Sequence, residues 1–100
     1  MPSITPTKAE LQKGYRQLEN FALDSKVQSV IQEAAKSKST LEKLKADPLK
    51  YFTDRKLKVP ATARISITVT RLRFCIWVCR SYGPVLICVR YCGTIIVVIG

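Results

Sequence analysis

Apolar side chains in the first half of the chain recur at steps of three and four, whereas past Pro60 they recur at steps of two. The first spacing lays them along one stripe of a helix, the second along one face of a strand. Thr7-Lys8-Ala9-Glu10 reads as a capping box: the Thr hydroxyl accepts from an early helical N–H while Glu10 reaches back. Leu11, Tyr15, Leu18 and Ala22 then share one helical face, with Gly14 a weak point costing about 1 kcal/mol relative to Ala. A second helix starts at Ser25 and carries Val27, Val30, Ile31 and Ala34. A third start, Ser39-Thr40-Leu41-Glu42, opens a short turn with Leu41 and Leu44, so the segment reads as three or four helices. Asp47-Pro48, a cap followed by Pro at the first helical position, begins a brief segment through Leu49 and Phe52.

In "ARISITVT", Ile65, Ile67 and Val69 alternate with Arg64, Ser66, Thr68 and Thr70, which is a strand with one apolar face. "RLRFCIWVCR", "VLICVRYC" and "TIIVVIG" follow, rich in β-branched and aromatic residues, and Tyr82-Gly83-Pro84 breaks the first two apart. The pattern predicts an α+β chain. Residues 1–60 form a helical segment, and residues 61–100 a cationic, cysteine-containing antiparallel hairpin or small sheet.

All four cysteines lie in the β part, at positions 75, 79, 88 and 92. If the chain folds back at Gly83-Pro84, one register sets Cys75 opposite Cys92 and Cys79 opposite Cys88. Steps of four keep side-chain parity, so both pairs share a face. Both are non-hydrogen-bonded pairs, whose Cα atoms approach to about 4.5 Å, within reach of a disulfide. Gly83 supplies the positive φ of a type II′ turn and Pro84 the negative φ that follows. The same register puts Trp77 opposite Arg90, as in a cation–π pair. The other face carries Leu72, Phe74, Ile76 and Val78 against Val85, Ile87, Val89, Tyr91 and Ile95, with Arg71, Arg73 and Arg80 at its ends.

Three states of the thiols compete. Zinc needs four thiolates converging on one ion, but thiols four apart on an extended strand are separated by about 13 Å. Four free thiols would be ordinary small apolar residues. A two-rung disulfide ladder satisfies both pairs with one register and is the favoured expectation. No metal or cofactor site is expected.

The net charge of +10 comes from 17 Lys and Arg against 7 Asp and Glu, and every acid lies in the first 54 residues. Such a surface attracts nucleic acid, anionic lipid or an acidic partner without choosing among them. The chain has no histidine, and no nucleophile pair or phosphate loop is visible, so an enzyme is not expected. "MPSITPTKAELQKG" has neither an apolar stretch nor a small-residue cleavage site, so no Sec-type signal is expected. No run reaches the roughly 18 uncharged residues of a membrane-spanning helix.

"CIWVC…CVRYC", with aromatics and arginines between paired cysteines, resembles the β-hairpin antimicrobial peptides of the tachyplesin, polyphemusin and arenicin type. The resemblance implies that Cys75, Cys79, Cys88 and Cys92 are rungs or sites of modification. It makes Arg71, Arg73, Arg80 and Arg90, with Trp77, Phe74 and Tyr91, the membrane-binding residues. "LEKLKADPLKYFTDRKLKVPATARISITV" is similar to the end of the nitrile-hydratase-like leader peptides of bacterial ribosomally made, post-translationally modified peptides. That similarity implies a leader read by modifying or processing enzymes through Leu44, Asp47, Pro48, Phe52, Leu57 and Val59.

Together these readings predict a precursor made in the cytoplasm. Its helical leader meets a processing enzyme and an exporter, and its exported core acts on an anionic membrane. The alternatives are a small basic nucleic-acid-binding protein, with Trp77, Phe74 and Tyr91 as stacking platforms, or a structural α+β interaction module whose helices cover the sheet.

Overall fold

A computed structural model describes residues 5–95. The Thr7 hydroxyl accepts from the Glu10 N–H at 3.2 Å and starts α1 (Lys8–Leu23). Asp24 ends α1 and caps α2 (Ser25–Ala34), taking the Lys26 N–H at 2.7 Å. The second cap is therefore Asp24 rather than Ser25, because a carboxylate reaches the next amide from that position. The α3 helix (Lys38–Ala46) starts at Ser37 without a side-chain cap, and Thr40 instead donates its hydroxyl to the carbonyls of Ala34 and Ser37. Asp47 accepts from the Lys50 N–H at 3.2 Å, with Pro48 in the first turn of α4 (Pro48–Asp54).

Three strands follow: β1 (Arg64–Val69), β2 (Arg73–Tyr82) and β3 (Val85–Thr94), one antiparallel sheet in the order β1-β2-β3. The expected register is present. Cys75 faces Cys92, Trp77 faces Arg90, Cys79 faces Cys88 and Tyr82 faces Val85, around a turn in which Gly83 has φ 60°. Of "TIIVVIG", Thr94 ends β3 and Ile95 is buried, while 96–100 lie outside the described residues.

The helices lie over the apolar face of the sheet. α1 packs on β2 and β3, and α3 and α4 pack on β1. One core results, joining Leu18, Val27, Ile31, Leu44 and Phe52 to Ile67, Phe74, Ile76, Val78 and Val89. Each large apolar side chain so buried contributes about 1.5–3 kcal/mol relative to exposure. Phe21 meets Phe52 edge to face, with centroids 5.6 Å apart. Gln32 of α2 donates to the Thr94 carbonyl at 2.7 Å, tying a helix to the end of the hairpin.

Three expectations shift. The buried stripe of α1 is Gly14, Leu18, Phe21 and Ala22, leaving Tyr15 exposed, because Tyr82 of the hairpin comes down on Gly14. Leu72 is 72% exposed rather than part of the apolar face, since it sits in the β1–β2 turn. Arg73 falls on the cysteine face, because strand alternation gives it the parity of Cys75.

Candidate functional site

Alternation along each strand sorts the sheet into two chemically different faces. On the face away from the helices β2 presents Arg73, Cys75, Trp77, Cys79 and Ser81. β1 adds Arg64, Ser66 and Thr68, and β3 adds Leu86, Cys88, Arg90, Cys92 and Thr94. Two disulfides cross this face, Cys75–Cys92 and Cys79–Cys88, with Cα separations of 4.0 and 4.1 Å. They take up all four thiols, so neither the zinc nor the free-thiol state is present. Trp77 lies between the rungs, and the Arg90 guanidinium stands 5.5 Å from its ring centroid. The covalent brace and the cation together hold the indole in place at a position open to solvent on one side.

The opposite face belongs to the core. Phe74, Ile76 and Val78 are buried, and Tyr91 is half-buried with its ring 6.3 Å from that of Phe74. Phe74 and Tyr91 are thus unavailable as an exposed platform in the intact chain, and Trp77 is separated from them by the thickness of the sheet. The arginines are divided as well. Arg73 and Arg90 lie on the disulfide face, and Arg71 is exposed in the β1–β2 turn. Arg80 lies on the helix side, its guanidinium 4.9 Å from the Tyr82 ring centroid. There it borders a cavity of about 510 Å³ together with Gln17, Asn20, Asp24 and Lys58.

The residues expected to recognise a processing enzyme take structural places. Leu44 and Phe52 have no exposure, and Leu57 and Val59 pack against the core. Asp47 and Pro48 form the start of α4, where Asp47 remains exposed. In the folded chain Asp47 is accessible, as is the neighbouring Leu49, whereas Leu44 and Phe52 are not.

Arg64, Ser66, Ser81 and Leu86 were not expected at the site. They line, with Trp77 and Cys79, an open concavity of about 540 Å³ on the disulfide face. Their place follows from the pairing of Arg64 with Cys79 and of Ser66 with Trp77. That register is set by a turn through Thr70-Arg71-Leu72, which has no Gly or Pro to announce it.

Comparison with protein families, with characterised proteins and with solved structures returns no match. Among the described residues no helix is long and apolar enough to cross a membrane, and no three His, Cys, Asp or Glu side chains gather as a metal cluster.

Proposed function

We propose that the chain is a precursor whose helical part, about residues 1–60, masks a cationic hairpin, and that the hairpin acts on anionic membranes once released. The observation that carries this reading is the division of the hairpin into two faces. Two disulfides brace one face, with arginines beside them, and the helices bury the other. A free hairpin of this composition would present Phe74, Ile76, Val78, Val89 and Tyr91 on one side, a surface that partitions into the headgroup–acyl boundary. Arginines on the other side and at the ends would add about 1 kcal/mol of attraction per charge at an anionic surface. Covering the apolar face until release prevents premature insertion into a bilayer.

In this reading the thiols oxidise or are modified outside the reducing cytoplasm, and disulfides are in keeping with an oxidising compartment. A processing enzyme meets the chain at its helical part, where Asp47 is exposed, and cuts in the stretch between Asp54 and Arg64 that joins helices to sheet. The chain has no catalytic role of its own.

The test is cleavage-dependent activity. A protease site placed between Pro60 and Ala63 allows the oxidised chain to be cut on demand and the hairpin to be purified from the helices. Dye release from phosphatidylglycerol-containing vesicles is expected from the hairpin and not from the uncut chain. A hairpin that releases no dye removes this reading. One observation favours a second: the core runs without a break from helices to sheet, as in a permanent α+β interaction module. A hairpin that cannot be separated from the helices without losing its structure supports that module.

A further inference from the structure

The concavity on the disulfide face has the chemistry of a phosphate site with an apolar wall. Arg64 stands across from Cys79, and Ser66 stands across from Trp77, so a guanidinium, a hydroxyl and an indole occupy neighbouring positions. Ser81 and Leu86 close the end toward the hairpin tip, where Leu86 is 63% exposed. From the β3 side Arg90 reaches over the Trp77 ring. No acidic side chain lines the concavity, and the chain has no acid after Asp54. Among the described residues the one ion pair, Lys36 with Glu33, lies elsewhere, so neither Arg64 nor Arg90 is engaged by a carboxylate.

Each part points to the same class of ligand. A guanidinium binds phosphate oxygens in a bidentate fork, and hydroxyls add donors to the same group. Tryptophan seats its apolar body and polar edge at a membrane–water boundary. Free phosphate would leave Trp77 and Leu86 without a role. A single-stranded nucleic acid would find one aromatic here, and Arg90 already lies over it.

We propose that this concavity is a headgroup site for anionic phospholipid, and that the uncleaved chain docks on a bilayer through its disulfide face. Arg64 in the concavity and Arg90 beside it, across Trp77, take phosphates, and Trp77 and Leu86 enter the interface. The proposal rests on the membrane reading above but uses the opposite surface, since the apolar face stays under the helices throughout. Docking would thus precede release and set the hairpin down at its target.

Trp77 is the single tryptophan of the chain, so its emission reports directly on the site. The oxidised, uncleaved protein is titrated with vesicles of phosphatidylglycerol and phosphatidylcholine, with pure phosphatidylcholine, with inorganic phosphate and with a single-stranded oligonucleotide. The expected result is a blue shift of Trp77 with the anionic vesicles alone. Arg64→Glu with Arg90→Glu should weaken that partition about tenfold or more. Lys13→Glu with Arg16→Glu, the same charge change on exposed positions of α1, should weaken it far less. Those side chains belong to α1, which packs on the opposite face of the sheet.

Arg64→Glu alone, which leaves the Arg90–Trp77 pair in place, is expected to give a substantial part of the loss; no loss from it overturns the site. Equal losses from the two double variants would overturn it as well, because net charge alone would then explain binding. So would a Trp77 response to phosphate or oligonucleotide that matches or exceeds the response to vesicles. Thermal unfolding of each variant, with both disulfides intact by mass, excludes misfolding as the cause. If the uncleaved chain binds as expected while the released hairpin leaks no dye, the site stands and the precursor reading falls. If the hairpin leaks dye and the uncleaved chain ignores anionic vesicles, the site falls alone.

Discussion

Tyr82, at the tip of the hairpin, rests on Gly14 in the middle of α1: a methyl group at Gly14 would stand 2.4 Å from the tyrosine Cζ and 2.5 Å from its hydroxyl oxygen. A glycine that weakens a helix in isolation is thus the notch through which the helix grips the sheet. It is also the reason that the buried stripe of α1 runs through position 14 rather than 15.

Gly14→Ala sets two effects against each other. Alanine favours the helix by about 1 kcal/mol, whereas crowding against a packed ring costs about 1–3 kcal/mol. The expected outcome is a net loss in the native chain. In a Tyr82→Ala background the same change should become stabilising by about 0.5–1 kcal/mol, since only the helix term remains. Urea denaturation of the four chains of this cycle reads the sign reversal directly; additive effects would refute the notch.

The two rungs close loops of different length, with sequence separations of 9 and 17 residues. Chain entropy assigns about 2.5 kcal/mol to the inner rung and about 3 kcal/mol to the outer. Cys79→Ser with Cys88→Ser should therefore cost slightly less stability than Cys75→Ser with Cys92→Ser. Helical circular dichroism should survive reduction at low temperature, because the helices pack on the face that the disulfides do not touch. Loss of the helical signal together with the disulfides would mean that the shared core cannot hold without the rungs.

Phe52 has no exposure and touches Phe21 edge to face, though it lies in the segment read as an enzyme-recognition element. Phe52→Ala should cost about 3–5 kcal/mol. Because the core is continuous, amide exchange should accelerate in β2 and β3 as well as in the helices. Acceleration confined to the helices would mean that the two halves are stable separately.

Asp47→Ala removes the cap of α4 and should cost about 1 kcal/mol, read as a small fall in the melting midpoint. The variant stays folded, so it also separates roles. A processing enzyme that reads Asp47 directly would lose affinity for the folded variant by more than the fall in stability explains.

The periods in the sequence were enough to place a half of three or four helices before Pro60 and the β runs after it, because amphipathic stripes and caps act over a few residues; the run "TIIVVIG" lies mostly outside the described residues. Asp24 in place of Ser25 is the scale of the discrepancy. The cysteine register was equally legible: a Gly-Pro turn between two strands leaves one pairing that satisfies all four thiols. The register of β1 on β2 was not, since Thr70-Arg71-Leu72 carries no turn signal and closes through the Thr70 N–H and the Arg73 carbonyl. With it went Arg64, Ser66 and the concavity that they line.

By itself, then, the sequence determined the elements, the hairpin and its ladder, all of them products of local periodicity and of one turn. Tertiary structure alone decided which face of the sheet meets solvent. The apolar face of the hairpin looks, along the chain, like a surface ready for a membrane. Its burial follows only from helices that precede the sheet in the chain, whose Leu18, Ile31, Leu44 and Phe52 need the same cover that Phe74, Ile76 and Val78 provide. Burial of apolar area is non-directional and depends on which surfaces meet, a property of the assembled chain that no local spacing encodes.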